Sequence, residues 1–284
     1  MKKIIVTTTF RDFKGNINDK MQLKFLYSLK KQVYQNFVLV VTTFGEKEVE
    51  NVVRKIMGEK AVFYEARKQG DYRYSLSEVL LNGIEYGKTN PVDIIVDCSS
   101  DIILQENFLE IVESYYADYY SGICHPNIFY DINDKFEIVN KRIGSCNEGI
   151  DIRFFDYKMM LECESILKKY YLTDWGGFEH LLVGICKKRA NDRINVFTET
   201  KIIKIENDRD AANETNDYMK KSFARNQRAL DWFARDMKIN REDLFDLYYI
   251  HKQFKITQNA VGYAWHFKKD YIEWKYRVLK RRYM

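Results

Sequence analysis

The chain has no apolar run of about 18 residues, so no segment of it reads as a membrane-spanning helix. It has no Cys-x-x-Cys pair. Its five cysteines (Cys98, Cys124, Cys146, Cys163, Cys186) are an odd number, and they read as reduced, mostly buried thiols of a cytosolic protein rather than as a disulfide frame or a zinc site. The N-terminus, Met1-Lys-Lys-Ile-Ile-Val-Thr7, is basic, but its apolar run is too short for a signal peptide and reads as a first strand. No Gly-x-Gly-x-x-Gly follows that strand, and no Gly-x-x-x-x-Gly-Lys-Ser/Thr occurs. The usual dinucleotide and P-loop readings are thereby removed, and phosphate binding is left to a metal or to side chains. Gly-x-Ser-x-Gly and His-Glu-x-x-His are also missing, and with only four histidines a hydrolase has no positive support. Internal repeats and low-complexity segments are absent too.

Charge of one sign is scarce except in one place. The net charge is +5, and the segment Trp265 to Met284 holds seven Lys/Arg against two Asp/Glu, so it accounts for the whole excess. This locates a partner surface in the tail and argues against a chain-wide nucleic-acid footprint. No nucleic-acid partner is expected.

What is present is a 284-residue chain, 46% hydrophobic, enough for one large α/β domain or one domain with a helical appendage. Continuous apolar runs at Lys3–Thr8, Phe37–Thr43 and Val92–Val96, with a shorter one at Ala61–Tyr64, read as strands of a parallel sheet covered on both faces. Between them lie helical stripes: Leu26, Leu29 and Val33; then Val49, Val52, Val53 and Ile56, stopping at Gly58. A third stripe (Leu76, Val79, Leu80, Ile84) opens on the capping box Ser75-Leu-Ser-Glu78 and ends near Gly87. A helix from Phe108 to Tyr119 should close at Gly122. The order β-α-β-α-β-α-β with short links is that of an open sheet with right-handed crossovers. Farther on, Ile150–Phe155, Ile194–Phe197 and Lys201–Ile205 read as strands. Tyr157–Tyr171 and Phe178–Lys188 read as helices, and a long helix carries Met219, Phe223, Leu230, Phe233 and Met237 on one face, with polar Asn226 in the stripe. The polar stretch Asn207–Asn216 is the candidate linker, which divides the chain into a domain over 1–205 and a helical extension over 206–284.

Chemistry concentrates at Val92-Asp-Ile-Ile-Val-Asp97-Cys-Ser-Ser-Asp101. Strand ends in open α/β sheets are where ligands sit, and a carboxylate there can hold a hard divalent cation that in turn holds phosphate. The competing reading has Asp97 capping a turn and Asp101 starting a helix.

Several segments together resemble the family 2 kind of GT-A-type glycosyltransferase. They are Ile4-Ile-Val-Thr-Thr-Thr-Phe-Arg11, Ser28-Leu-Lys-Lys-Gln32-Val-Tyr34-Gln-Asn36-Phe37, Leu81-Asn82-Gly83-Ile84, Asp97-Cys-Ser-Ser-Asp101 and Thr173-Asp-Trp-Gly-Gly-Phe-Glu-His180, spread over residues 1 to 205. The resemblance implies an α/β GT-A fold, a mostly parallel open sheet with helices on both faces. It implies a nucleotide-sugar donor, a divalent cation (Mn²⁺ or Mg²⁺) and a glycan or lipid-linked acceptor. Carried onto this chain, it puts Thr8, Thr9, Arg11, Thr43, Asn82, Asp97 and Ser99 around the donor and makes Asp101 the metal ligand. Glu179 becomes the base, with Asp174 as its alternate. The chain departs from the pattern in three places. Thr42 and Thr43 follow Val41 where the family has a base-reading acid, the metal motif is stretched to Ser99-Ser100-Asp101, and His180 stands where an Asp is common.

The expected function is therefore a metal-dependent, inverting glycosyltransferase of bacterial surface polysaccharide synthesis. The rival is a non-catalytic nucleotide- or glycan-binding protein on the same fold. A nucleotidyltransferase is disfavoured because no Gly-rich basic loop follows the first strand. In the tail, basic residues interleave with aromatics on two stripes. One stripe suits the body of the protein or a second subunit in a homodimer; the other suits an anionic membrane surface. That makes the expected location cytoplasmic, peripheral on the inner face of the cell membrane.

Overall fold

The computed structural model describes residues 1–14, 17–67, 75–118, 121–124, 128–132, 138–143, 152–172, 194–197, 202–204 and 217–238. The first half follows the expected alternation: β1 (Ile4–Thr9), α1 (Ile17–Lys30), β2 (Phe37–Thr43), α2 (Val49–Met57), β3 (Ala61–Glu65), α3 (Leu76–Thr89) and β4 (Ile94–Cys98). Short strand β5 (Ile102–Leu104) and helix α4 (Phe108–Asp118) come next, then β6 (Ser121–Cys124), β7 (Ile128–Ile132), β8 (Ile138–Ile143) and β9 (Ile152–Asp156). The described part ends with α5 (Tyr157–Glu162), α6 (Glu164–Lys169), β10 (Ile194–Phe197), β11 (Ile202–Lys204) and α7 (Asp217–Met237).

The main sheet has the order β10-β6-β9-β4-β1-β2-β3. Strands β3, β2, β1 and β4 are mutually parallel, and β9 runs antiparallel to both β4 and β6. Alternation along the strands splits the core into two layers. Ile4, Val6, Leu39, Val41 and Val96 pack with Phe25, Leu26, Leu29, Val53 and Phe108 from α1, α2 and α4. Ile5, Val40 and Ile95 pack on the opposite face with Leu80 and Ile84 of α3, Met160 and Leu167 of α5 and α6, and Leu230 and Phe233 of α7. Thus α7, although beyond residue 206, buries Leu230 and Phe233 in the second layer. Fully burying a side chain such as Phe233 stabilises by about 1.5–3 kcal/mol.

Several local expectations need correction. Helix α1 stops at Lys30, because the Val33 N–H donates to Glu106 O at 2.9 Å; Val33 is exposed, and Gln32 turns inward in its place. The helix read over Tyr157–Tyr171 is interrupted at Cys163, whose N–H is shared between Met159 O and Met160 O and tightens the turn. Helix α3 continues past Gly87 to Thr89, and Gly87 lies under the Tyr157 ring, where a Cβ would collide with the ring atoms. Gly122 does not close a helix; it sits in β6, in register with Phe154. The second sheet, β5-β11-β7-β8, was not anticipated, although its strand β11 falls within the strand read at Lys201–Ile205. The helix expected over Phe178–Lys188 and the tail from Trp265 lie outside the described residues.

The capping box is half realised. Ser75 Oγ accepts from Glu78 N at 3.3 Å, worth about 1 kcal/mol as a helix cap. The Glu78 carboxylate instead accepts from Arg67 N at 3.1 Å.

Helix α7 is latched to α6 by Asp236, whose carboxylate accepts from Lys169 Nζ at 2.7 Å and from Tyr170 Oη at 2.6 Å. The Lys169 bond first and the Tyr170 bond second hold the Asp236 carboxyl down at about 2. A depressed carboxyl stabilises the fold at pH values above its ordinary 3.8, and that contribution is lost as pH falls through about 2. Urea melts of wild type and Asp236→Asn should therefore differ at pH 6 and converge as the pH approaches 2. A constant difference across that range would show that the latch is not ionic.

Candidate functional site

Strand β1 lies between β2 and β4, while the chain goes first from β1 to β2 and only later to β4. Strand order therefore reverses at β1/β4, and the carboxyl ends of these strands flank the crevice in which open α/β sheets bind ligands. Several residues expected around the donor end up there or at the neighbouring strand ends: Thr8 and Thr9 on β1, Thr43 on β2, and Asp97, Ser99 and Asp101 at and just beyond the end of β4.

The hydroxyls lace these strand ends together. Thr9 Oγ1 donates to Thr42 O at 2.8 Å, Thr8 Oγ1 to Thr9 O at 3.4 Å and Thr43 Oγ1 to Tyr64 O at 3.4 Å. Asn82 is 1% exposed and donates from Nδ2 to Thr42 Oγ1 at 3.0 Å, so it braces the end of β2 from α3. This brace depends on close approach of helix and sheet. Gly83 lies directly over β1, and a Cβ there would come within 2.5 Å of Thr7 Cγ2. Arg11 has an exposed side chain, but its backbone is gripped at both ends by buried Gln22: Arg11 N donates to Oε1 at 2.5 Å and Nε2 donates to Arg11 O at 3.0 Å.

The two acids at the end of β4 differ in kind. Asp97 is 3% exposed and meets Arg153 Nη1 at 2.5 Å, and Arg153 is itself 4% exposed. The two residues stand opposite each other in the β4–β9 register. Asp101 is half-buried, and its Oδ1 accepts from Ser99 Oγ. It does not start a helix; β5 follows it. Among the described residues no group of three or more His, Cys, Asp or Glu is gathered as a metal cluster. Asp174 and Glu179, with Trp175 and His180, lie outside the described residues. The chain leading into them is anchored: Ser75 Oγ donates to Leu172 O at 2.7 Å and Leu172 N donates to Ser77 Oγ at 3.0 Å.

One acid near the site was missed. Glu46 lies three residues beyond β2 and folds back so that its Oε2 accepts from Phe44 N at 2.6 Å, around Gly45 at φ +98°. Burial pushes the Glu46 carboxyl above its ordinary value. The sequence signal was Phe44-Gly45-Glu46, a left-handed glycine that returns an acid toward the strand it follows.

No family model matches the chain, and no curated protein matches it. Solved structures do. S. aureus TarS residues 1–349 in complex with UDP-GlcNAc aligns over 91% of this chain and 74% of its own, with a TM-score of 0.54 at 10% identity. The same protein with UDP aligns over 90% and 73%, with a TM-score of 0.51 at 12% identity. At such identities the likeness carries the fold, an α/β architecture of the GT-A type.

Removing one partner of a buried ion pair leaves an uncompensated charge, at a cost of about 3–5 kcal/mol. Arg153→Met should lower unfolding free energy by that order in urea melts. The apolar pair Asp97→Leu with Arg153→Met should recover most of the loss, and Asp101→Ala should cost little. A wild-type melt for Arg153→Met would remove the pair from the account of the site.

Proposed function

We propose that the chain is a glycosyltransferase that moves a hexosyl group from a nucleotide-sugar to a glycan or lipid-linked acceptor, in the synthesis of a bacterial surface polysaccharide. The observation that carries this reading is the β1/β4 switch point, where Thr8 and Thr9 end one strand and the hydrogen-bonded Ser99 and Asp101 follow the parallel strand beside it. The TarS structures that share the fold were solved with UDP-GlcNAc and UDP. Thr8, Thr9, Arg11 and Thr43 are assigned to the nucleotide and diphosphate, and Asn82 holds the end of β2 in place. Glu46 supplies the carboxylate beyond β2 that the Thr42-Thr43 end lacks.

Asp101 and Ser99 would hold the divalent cation. Their donor set fits Mg²⁺ or Mn²⁺, hard ions that bind oxygen; Mg²⁺ is content with one or two carboxylates when substrate phosphates complete its shell. Asp97 stands behind Asp101 with its charge shared by Arg153, as a support or ribose contact. When bound, the cation neutralises charge on the departing diphosphate. Glu179, with Asp174 as alternate, would take the proton of the acceptor hydroxyl while that oxygen bonds to the anomeric carbon from the face opposite the leaving group; the bond from that carbon to the diphosphate breaks, the nucleoside diphosphate departs, and the carbon inverts. The basic-aromatic tail is assigned to an anionic membrane face; release from anionic vesicles by salt is its check.

The Asp97–Arg153 pair favours one competing reading. With that carboxylate engaged, a protein that binds a nucleotide-sugar without transferring it is also consistent with the geometry. Thermal melts with nucleoside diphosphates and nucleotide-sugars, with and without Mn²⁺, together with turnover assays, separate the two. The transferase reading expects a donor-induced rise in Tm that grows with Mn²⁺ and loses the metal increment in Asp101→Ala. It also expects Glu179→Gln to keep donor binding while turnover falls about 100-fold or more. Binding with no turnover by wild type supports the competing reading, and no donor-induced shift at all defeats both.

A further inference from the structure

On the outer side of the first core layer, α1 and α2 flank an open cleft of about 540 Å³. No lining residue comes from β1, β2 or β4, so it is separate from the strand-end crevice. Helical spacing explains it. Phe25, Leu26 and Leu29 of α1 are spent on the sheet, which leaves Leu23 and Tyr27 as a flanking stripe. Val52 and Ile56 of α2 face that stripe, and Phe13 closes one end. The floor is apolar, and Tyr27 remains 51% exposed on its edge.

The rim is cationic. Lys20, Lys30 and Lys55 line it and are exposed, while Asp19, the one acid among the described lining residues, is buried. Charge therefore selects the occupant. The chain's own tail, which carries the whole +5 excess, is repelled, and a second copy would bring the same three lysines to the contact. The volume falls in the range of about 300–1,000 Å³ typical of small-molecule sites. A stable protein partner would need roughly 1,200 Å² of contact or more, beyond what one interhelical cleft offers.

We propose that this cleft binds a single-chain anionic lipid, a lipid monophosphate, with its hydrocarbon chain along Leu23, Val52 and Ile56 and its phosphate among Lys20, Lys30 and Lys55. An alkyl chain removed from water supplies a non-directional driving force, and the lysines fix which headgroup is accepted. The proposal does not depend on the transfer reaction, and its test reads binding alone.

The test is isothermal titration of the full chain with dodecyl phosphate below its micelle concentration. Dodecyltrimethylammonium, with the same chain and the opposite charge, and inorganic phosphate serve as comparators. Dodecyl phosphate should bind at least about tenfold more tightly than the ammonium probe, and inorganic phosphate should give no measurable heat. K30E/K55E should reverse the preference between the two amphiphiles, and Val52→Asp should weaken dodecyl phosphate about tenfold or more, with thermal melts confirming that each variant folds. If Val52→Asp does not fold, the lysine variant alone decides. Equal binding of both amphiphiles by wild type would mean plain detergent adsorption and overturn the proposal. Dodecyl phosphate binding unchanged in K30E/K55E would place the ligand elsewhere, the basic tail included, and overturn it as well. Tight capture of an acidic amphipathic peptide in place of dodecyl phosphate would reassign the cleft to a protein partner.

Discussion

Everything in the described part of the molecule is arranged around one strand that has to satisfy two neighbours. Strand β1 donates and accepts along both edges, to β2 over its whole length and to β4 over Ile4 to Thr7. Its faces are equally committed, Ile4 and Val6 to one layer, Ile5 to the other. A strand with no free edge and no free face has only its ends left for chemistry. Since strand order reverses between it and β4, its carboxyl end lies at the switch point of the sheet, beside the residues that follow β4.

The alternation of apolar runs made the parallel half of the sheet readable, because strands buried on both faces must be continuously apolar. Phe37–Thr43 and Val92–Val96 are such runs, and their strands were placed within two residues. Strands β6, β7 and β8 were not readable for the converse reason. Ser121–Cys124 and Ile138–Ile143 are short and mixed, with Gly122 in one and Asn140, Lys141 and Arg142 in the other, so pairing partners decide their conformation rather than local pattern. Val33 shows the same limit on a helix: its spacing matched the stripe, but a hydrogen bond to Glu106 redirected the backbone. In the site, residue types at strand ends were legible. That Asp97 would face Arg153, 56 positions away, was not.

The segment Ser28 to Asn36, one of those that carry the family resemblance, is a fastening. Gln32 donates to Ser28 O and Gln105 O and accepts from Leu109 N, while Ser28 Oγ accepts from Leu104 N. Tyr34 and Asn36 both donate to Lys2 O. These side chains stitch α1 to the entry of α4 and to the start of β1. A sequence motif of this kind marks a fold through backbone groups that would otherwise be buried unpaired. It says little about which reaction the fold performs.

Two of the chain's five thiols are described, and they lie in different layers of the core. Cys98 is buried in the layer beneath α1, α2 and α4, and Cys163 in the layer beneath α3, α5 and α7. Neither sulfur can meet a reagent until its own side of the sheet parts, so the rates at which each is alkylated are clocks for two different opening motions. A ligand seated at the strand ends of β1 and β4 would slow the first clock through the residue next to Asp97. A disturbance of the α7 latch would quicken the second. Among the described residues Cys98 and Cys163 thus form a native pair of timers, one for each side of the sheet.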